Sequence, residues 1–207
     1  GTEAQQQRFL PPTFRGEMIW CQLFSEPGAG SDLASLTTKA TKVDGGWRIT
    51  GQKIWTTGAQ FSAWGALLAR TDPSAPKHQG ITYFLLDMKS EGVEVKPLRE
   101  LTGNAMFNTV FIDDVFVPDD MVFGEIGEGW RQCTSELAFE RSGPERVLST
   151  FMLLQATADA MAAGQLPRDA SLGRLVGRVA GLHQMSSAVA DALQRHEPAE
   201  VPAAVVK

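Results

Sequence analysis

The sequence is short of several features that each mark a class of protein. Its only two cysteines, Cys21 and Cys133, lie far apart and form no CxxC pair. That excludes a disulfide framework and a cysteine zinc site, and points to the cytoplasm or another reducing compartment. None of the three histidines, His78, His183 and His196, has a ligand at metal spacing, so no metal site is expected. No apolar run approaches the roughly 18 residues of a membrane span, and the opening GTEAQQQR has no signal-peptide core. Positive charge is not in excess: 19 Lys and Arg stand against 24 Asp and Glu, a net charge of -5. Nothing therefore draws the chain toward nucleic acid or anionic lipid. No GxSxG elbow and no recognisable Ser/His/Asp set occurs.

What is present is an ordinary globular composition, 43% hydrophobic and 21% charged over 207 residues. The pattern changes once along the chain. TTKATKV and WRITGQKIWTT flank Asp44-Gly45-Gly46, a hairpin signal. WGALLART, ITYFLLDM, VEVKPLREL and NTVFIDDVFVP follow as further strand-like runs, with DPSAPKHQG as a loop. About six strands with no helix between them predict an antiparallel barrel or sandwich. From Gly129 the residues favour helix, in WRQCTSELAFER and VLSTFMLLQATADAMAAG, with a break expected at Gly143-Pro144. After the loop GQLPRDA, Ser171 is the expected N-cap of a long amphipathic helix. Its stripe is Leu172, Leu175, Val179, Leu182, Ser186, Val189 and Leu193, and Pro198 and Pro202 end it. The fold class is thus α+β. The order is a short helical tail, a β domain and then helices. The first residue is Gly rather than Met and VPAAVVK gives no obvious finish, so a piece of a longer chain is expected.

Three stretches could carry chemistry. In SEPGAGSD, Pro27 presets a turn, Gly28 can take positive φ, Gly30 admits a close ligand, and Ser31 can cap the short turn begun by DLASL. This is either an anion nest or a plain tight turn. It is not a dinucleotide fingerprint, because Leu33 replaces the last glycine, and not a P-loop, because no Gly-Lys-Ser/Thr follows. In KIWTTGA, Trp55 offers a flat face and Thr56 and Thr57 offer short donors for a planar heterocycle, or the indole simply fills the core. In LAFERSGPER, Glu140 lies among Leu137, Ala138 and Phe139, where apolar surroundings would suit a general base. The alternative is a solvated face of Glu140, Arg141, Glu145 and Arg146.

Taken in order, WCQLFSEPGAGSDLASLTTKA, GWRITGQKIWTTGA, GITYFLLDM, FNTVFIDDVFVP and GEGWRQCTSELAFER resemble the acyl-CoA dehydrogenase family of flavoproteins, over about residues 16 to 160. The resemblance implies a remnant of an N-terminal helical domain over 1–15, a middle β domain over 16–125, and the start of a truncated C-terminal helical domain over 126–207. It implies FAD held by Gln22, Leu23, Phe24, Ser25, Gly30, Ser31, Trp55, Thr56 and Thr57. It also implies an acyl-CoA bordered by Ser31 and by Ala138, Phe139, Glu140 and Arg141. The reaction implied is α,β-dehydrogenation, with Glu140 taking the α-proton and a hydride passing to flavin N5. An electron-transfer flavoprotein would accept the electrons, and the protein would be a homo- or hetero-oligomer. The match fails at GQLPRDASLG: relatives carry Arg-x-x-Phe-Gly, which reaches the flavin pyrophosphate across a subunit interface, but no Phe-Gly follows Arg168. A non-catalytic partner subunit of an active relative is therefore the alternative. The 207 residues alone are expected to be inactive, because helices that cover the acyl chain are not among them.

Overall fold

Two long strands frame the first half of the molecule: β3 (Gly46–Thr57) and β7 (Phe107–Pro118) pair antiparallel along most of their length. This computed structural model describes residues 1–141, 143 and 148–206, the side chain of Glu200 excepted. Pro144, with the break expected beside it, and Glu145 and Arg146 lie outside the described residues. The chain forms two compact units, Gly1–Gln132 and Cys133–Lys207.

In the first unit the remaining strands are β1 (Trp20–Leu23), β2 (Lys39–Val43), β4 (Trp64–Arg70), β5 (Ile81–Asp87) and β6 (Val93–Leu98). The seven strands make one curled sheet, ordered β1-β4-β2-β3-β7-β6, with β5 on the other side of β4. Asp44 and Gly45 close the β2–β3 hairpin, with Gly45 at φ +69° supplying the left-handed residue. Pro97 lies in β6, an edge strand, where its missing donor faces no further neighbour. The sheet departs from the all-antiparallel expectation at two places. β1 runs parallel to β4, and Lys39 of β2 pairs parallel with Arg70 of β4. The six strand signals all lie after residue 36, so β1 is an addition; Trp20–Leu23 is too short to show a period of its own.

The core sits on the concave face, where Leu23, Ile49, Leu67, Phe84, Leu86 and Val110 are wholly buried. The first helix, α1 (Glu3–Phe14), is set against this unit by its own start. Thr2 and Gln5 form a reciprocal capping box, and Gln5 Nε2 also donates to the carbonyls of Asp120 and Val122, both at 2.8 Å. Phe9 meets Trp20 and Trp64 edge-on, with ring centroids 5.3 and 4.9 Å away.

Helix α2 (Gly129–Arg141) contains the division between the units, and α3 (Phe151–Ala162), α4 (Ala170–Gln194) and α5 (Glu200–Val206) follow. The cap of α4 is Asp169, not Ser171: its carboxylate accepts the Ser171 N–H at 2.8 Å, so the cap lies two residues earlier than expected. Val189 of the expected stripe packs with Ala138, Ala199, Ala203 and Val206, while Leu175 and Leu182 remain exposed. Pro202 does not end a helix. It lies in the first turn of α5, where a missing N–H costs no hydrogen bond. Among the described residues, no helix is long and apolar enough to cross a membrane.

Candidate functional site

The loop between β1 and β2 is tied down by one carboxylate. Glu26 and Ala29 exchange backbone hydrogen bonds of 3.1 and 3.0 Å, closing a tight turn over Pro27 and Gly28. Gly28, which could take positive φ, does not do so here, and the stretch closes as a tight turn. The side chain of Glu26, buried, accepts from the Thr37 N–H (2.6 Å), the Thr37 hydroxyl (2.8 Å) and the Thr38 N–H (2.9 Å). Lys53 of β3, wholly buried, reaches the same carboxylate at 2.9 Å and donates to the Phe24 carbonyl at 3.1 Å. Burial alone would raise the Glu26 carboxyl, but the Lys53 ammonium and the hydrogen bonds from Thr38, Lys53 and Thr37 hold it at about 2. Burial pushes Lys53 down to about 8, with Glu26 recovering part of the shift. The contact between the two groups thus favours the charged form of each against the cost of burial.

Ser31 is not the cap of the following 3-10 turn, Leu33–Ser35. Asp32 holds that position, without a capping bond of its own. Its carboxylate bonds the Ser35 hydroxyl and the Lys77 ammonium, and these hold it below the usual range. The start of the turn thus already carries a negative charge, and the anion-nest option fails there.

The second motif is shaped by a bulge. Lys53 pairs with Val110 and Thr56 with Asn108, so β3 carries one residue more than β7 across this interval. Trp55 takes up the excess at φ +61°. Its indole leaves the sheet face, is 59% exposed, and is braced edge-on by Phe107 at 6.0 Å. The alternation of strand side chains then separates the two threonines. Thr57 is exposed, whereas Thr56 is turned inward, its hydroxyl buried without a hydrogen-bond partner among the described residues. The expected pair of threonine donors is thus reduced to one side chain.

Between these two stretches lies a cleft of about 310 Å³. Gln22, Phe24 and Ser25 form one wall, and Ile54, Trp55 and Thr57 the other. The walls are stitched at their base by the Ile54 N–H bonded to the Ser25 carbonyl at 2.9 Å. An exposed indole face beside amide and hydroxyl groups suits a planar heterocycle with polar edges, so these residues fit the ring portion of a flavin. Cys21 also borders the cleft, but burial raises its thiol to about 11, which leaves it protonated and unreactive at neutral pH.

The other expected site residues are placed differently. Leu23 points into the core, and its methyl lies 2.4 Å from where a side chain on Gly65 would begin. Gly30 and Ser31 are exposed on the loop and do not line this cleft; a side chain on Gly30 would meet nothing within 4 Å. In the second unit, Ala138 is buried in the helical core, and Phe139 and Glu140 are exposed on α2. The apolar enclosure expected around Glu140 is not formed by its own unit. Arg141 is half-buried, its Nε without a hydrogen-bond partner among the described residues. Glu26 and Lys53 were not singled out from the sequence. One signal was available: Lys53 shares the inward parity of Trp47, Ile49 and Gly51 on β3, and an inward lysine requires a carboxylate.

Residues 21–115 match the family model described as acyl-CoA dehydrogenase, middle domain. The chain is 63% identical over 141 residues, 68% of its length, to acyl-CoA dehydrogenase FadE34 of Mycobacterium tuberculosis, of which the match covers 20%. Among solved structures, it is similar throughout its length to the Tcur3481-Tcur3483 steroid ACAD G363A variant, with 31% identity, a TM-score of 0.88 and 56% of that chain covered. It is likewise similar to the ChsE4-ChsE5 complex from Mycobacterium tuberculosis, with 26% identity, a TM-score of 0.76 and 55% of that chain covered. The chain therefore spans a fifth of the first relative and just over half of the two structures.

Proposed function

The chain belongs to the acyl-CoA dehydrogenase family, and from that premise we propose that the whole protein catalyses FAD-dependent α,β-dehydrogenation of an acyl-CoA thioester. The observation that carries this reading is the cleft in which Trp55, Thr57 and the Gln22–Ser25 strand end converge. Trp55 supplies a flat wall for the ring system, while Thr57, Ser25 and Gln22 supply polar contacts to its edge. Ser31, exposed on the neighbouring loop, is free to meet the thioester. Bound FAD would accept the β-hydrogen as a hydride. Glu140 is the proposed base for the α-proton; a carboxylate on α2 can take that proton when the thioester carbonyl lies beside it. Ala138, Phe139 and Arg141, beside it on α2, are proposed to border the acyl-CoA. An electron-transfer flavoprotein is the proposed electron acceptor.

The test uses the whole protein. It should purify yellow with one FAD per chain, and the flavin should bleach on adding an acyl-CoA. Glu140→Gln should retain FAD and lose turnover by about 10²–10⁴-fold; full turnover in that variant ends its assignment as the base. The panel of thioesters includes a steroid acyl-CoA, because the name of a 31% identical structure carries the word steroid.

A second reading, a non-catalytic partner subunit, is favoured by one feature: Arg168 lacks the Phe-Gly that would complete the pyrophosphate contact. Stoichiometric FAD in the protein purified without a partner removes it.

A further inference from the structure

The cleft walls are two short stretches of chain, Phe24–Ser25 and Ile54–Trp55, that belong to different elements. Three bonds join them: Lys53 Nζ to the Phe24 carbonyl, Lys53 Nζ to Glu26 Oε1, and the Ile54 N–H to the Ser25 carbonyl. They bracket successive residues of the loop against successive residues of β3, directly before the bulge that turns Trp55 outward. On the far side, Glu26 is fixed to Thr37 and Thr38 at the entry to β2. A methionine of similar length would fill the space of Lys53 without burying a charge, so packing alone does not call for an ammonium there.

We infer that Lys53 and Glu26 are positioning residues for the flavin cleft: the buried pair clamps the SEPGAGSD loop to β3 and so fixes the spacing between the Gln22–Ser25 wall and the Trp55 indole. This rests on the flavin reading for its ligand, but the clamp also has a consequence without any ligand. The Ile54 N–H, bonded to Ser25, should be protected from hydrogen exchange only while the pair is intact.

The experiment compares three forms of the whole protein: the unmodified chain, Lys53→Met, and Val115→Ala. Val115 is a wholly buried core residue of β7 outside the cleft, so its truncation lowers stability without touching the clamp. Hydrogen exchange at Ile54 is measured without flavin, and FAD affinity by flavin fluorescence quenching. Lys53→Met should speed Ile54 exchange at least tenfold beyond that of Val115→Ala and raise the FAD Kd at least tenfold, while Val115→Ala leaves the Kd unchanged. Equal exchange at Ile54 in the two variants overturns the clamp. If the unmodified protein takes up no FAD, the flavin reading falls and the exchange result alone decides the clamp. Should Lys53→Met not fold, the volume-conserving double variant Glu26→Gln/Lys53→Met, which buries no lone charge, replaces it under the same criteria.

Discussion

The two units of this chain differ in how far each covers its own apolar residues. In Gly1–Gln132 the inward faces of the strands close on one another, and Ile49, Leu67, Phe84 and Leu86 have no exposed surface. In Cys133–Lys207 the apolar stripe of α4 meets α5 only near its end, at Val189 and Leu193, while Leu175 and Leu182 remain exposed. A curled sheet satisfies its backbone and its core together, because each strand is both neighbour and roof to others. A long helix satisfies its backbone alone and leaves its apolar face to be covered by something else. The sheet unit is thus a finished frame for the cleft, whereas the helical unit presents an apolar face.

The largest test of that contrast is a matched pair of truncations. Phe84→Ala, which removes a wholly buried ring packed edge-on against Trp47, should cost about 3–5 kcal/mol. Leu182→Ala on α4 should cost less than about 1 kcal/mol. All five tryptophans lie in the first unit, so their fluorescence in a urea titration reports that unit, and circular dichroism at 222 nm reports the helices. Equal losses would break the comparison. The next effect depends on acid. Glu26 is held at about 2, below its free value of 4.5, so its stabilisation is complete above pH 4.5 and is lost as the pH falls toward 2. The loss should be on the order of 2–3 kcal/mol, seen as a falling urea midpoint of the fluorescence transition that Glu26→Gln no longer shows over the same pH range. The smallest effect belongs to the helices. Asp169→Ala removes the cap of α4 and should cost about 1 kcal/mol, read as lower helicity and midpoint by circular dichroism, with the tryptophan transition unmoved.

The same contrast governs what could be read from sequence. Strands β2 to β7 announced themselves by alternation flanking the Asp44-Gly45 turn and by apolar strand-length runs, because those signals are local. The parallel pairing of β1 with β4 joins residues some forty positions apart, and no local pattern encodes it. The α+β class followed from the switch of period at Gly129, and α4 from its stripe, but the cap moved to Asp169 because both Asp169 and Ser171 are good capping residues. At the site, the resemblance already put Trp55 and the Gln22–Ser25 stretch on one ligand; the fold brings them to one cleft and leaves Leu23, Gly30, Ser31 and Thr56 out of its lining. The inward turn of Thr56 was not legible, since one extra residue in β3 reverses the parity of everything after it. Of the Glu26–Lys53 pair only the lysine left a signal, its inward parity on β3; which carboxylate meets it follows no spacing rule.

Trp55 stands in a backbone region that glycine enters without strain and that costs a bulky side chain about 1–2 kcal/mol. At this one position, then, improving the fold and keeping the cleft wall are opposed. Trp55→Gly relaxes the bulge and deletes the flat face in a single exchange. A search for hardier variants of this protein, scored only by resistance to heat, would be drawn toward that substitution and would return barrels with one wall of the cleft missing.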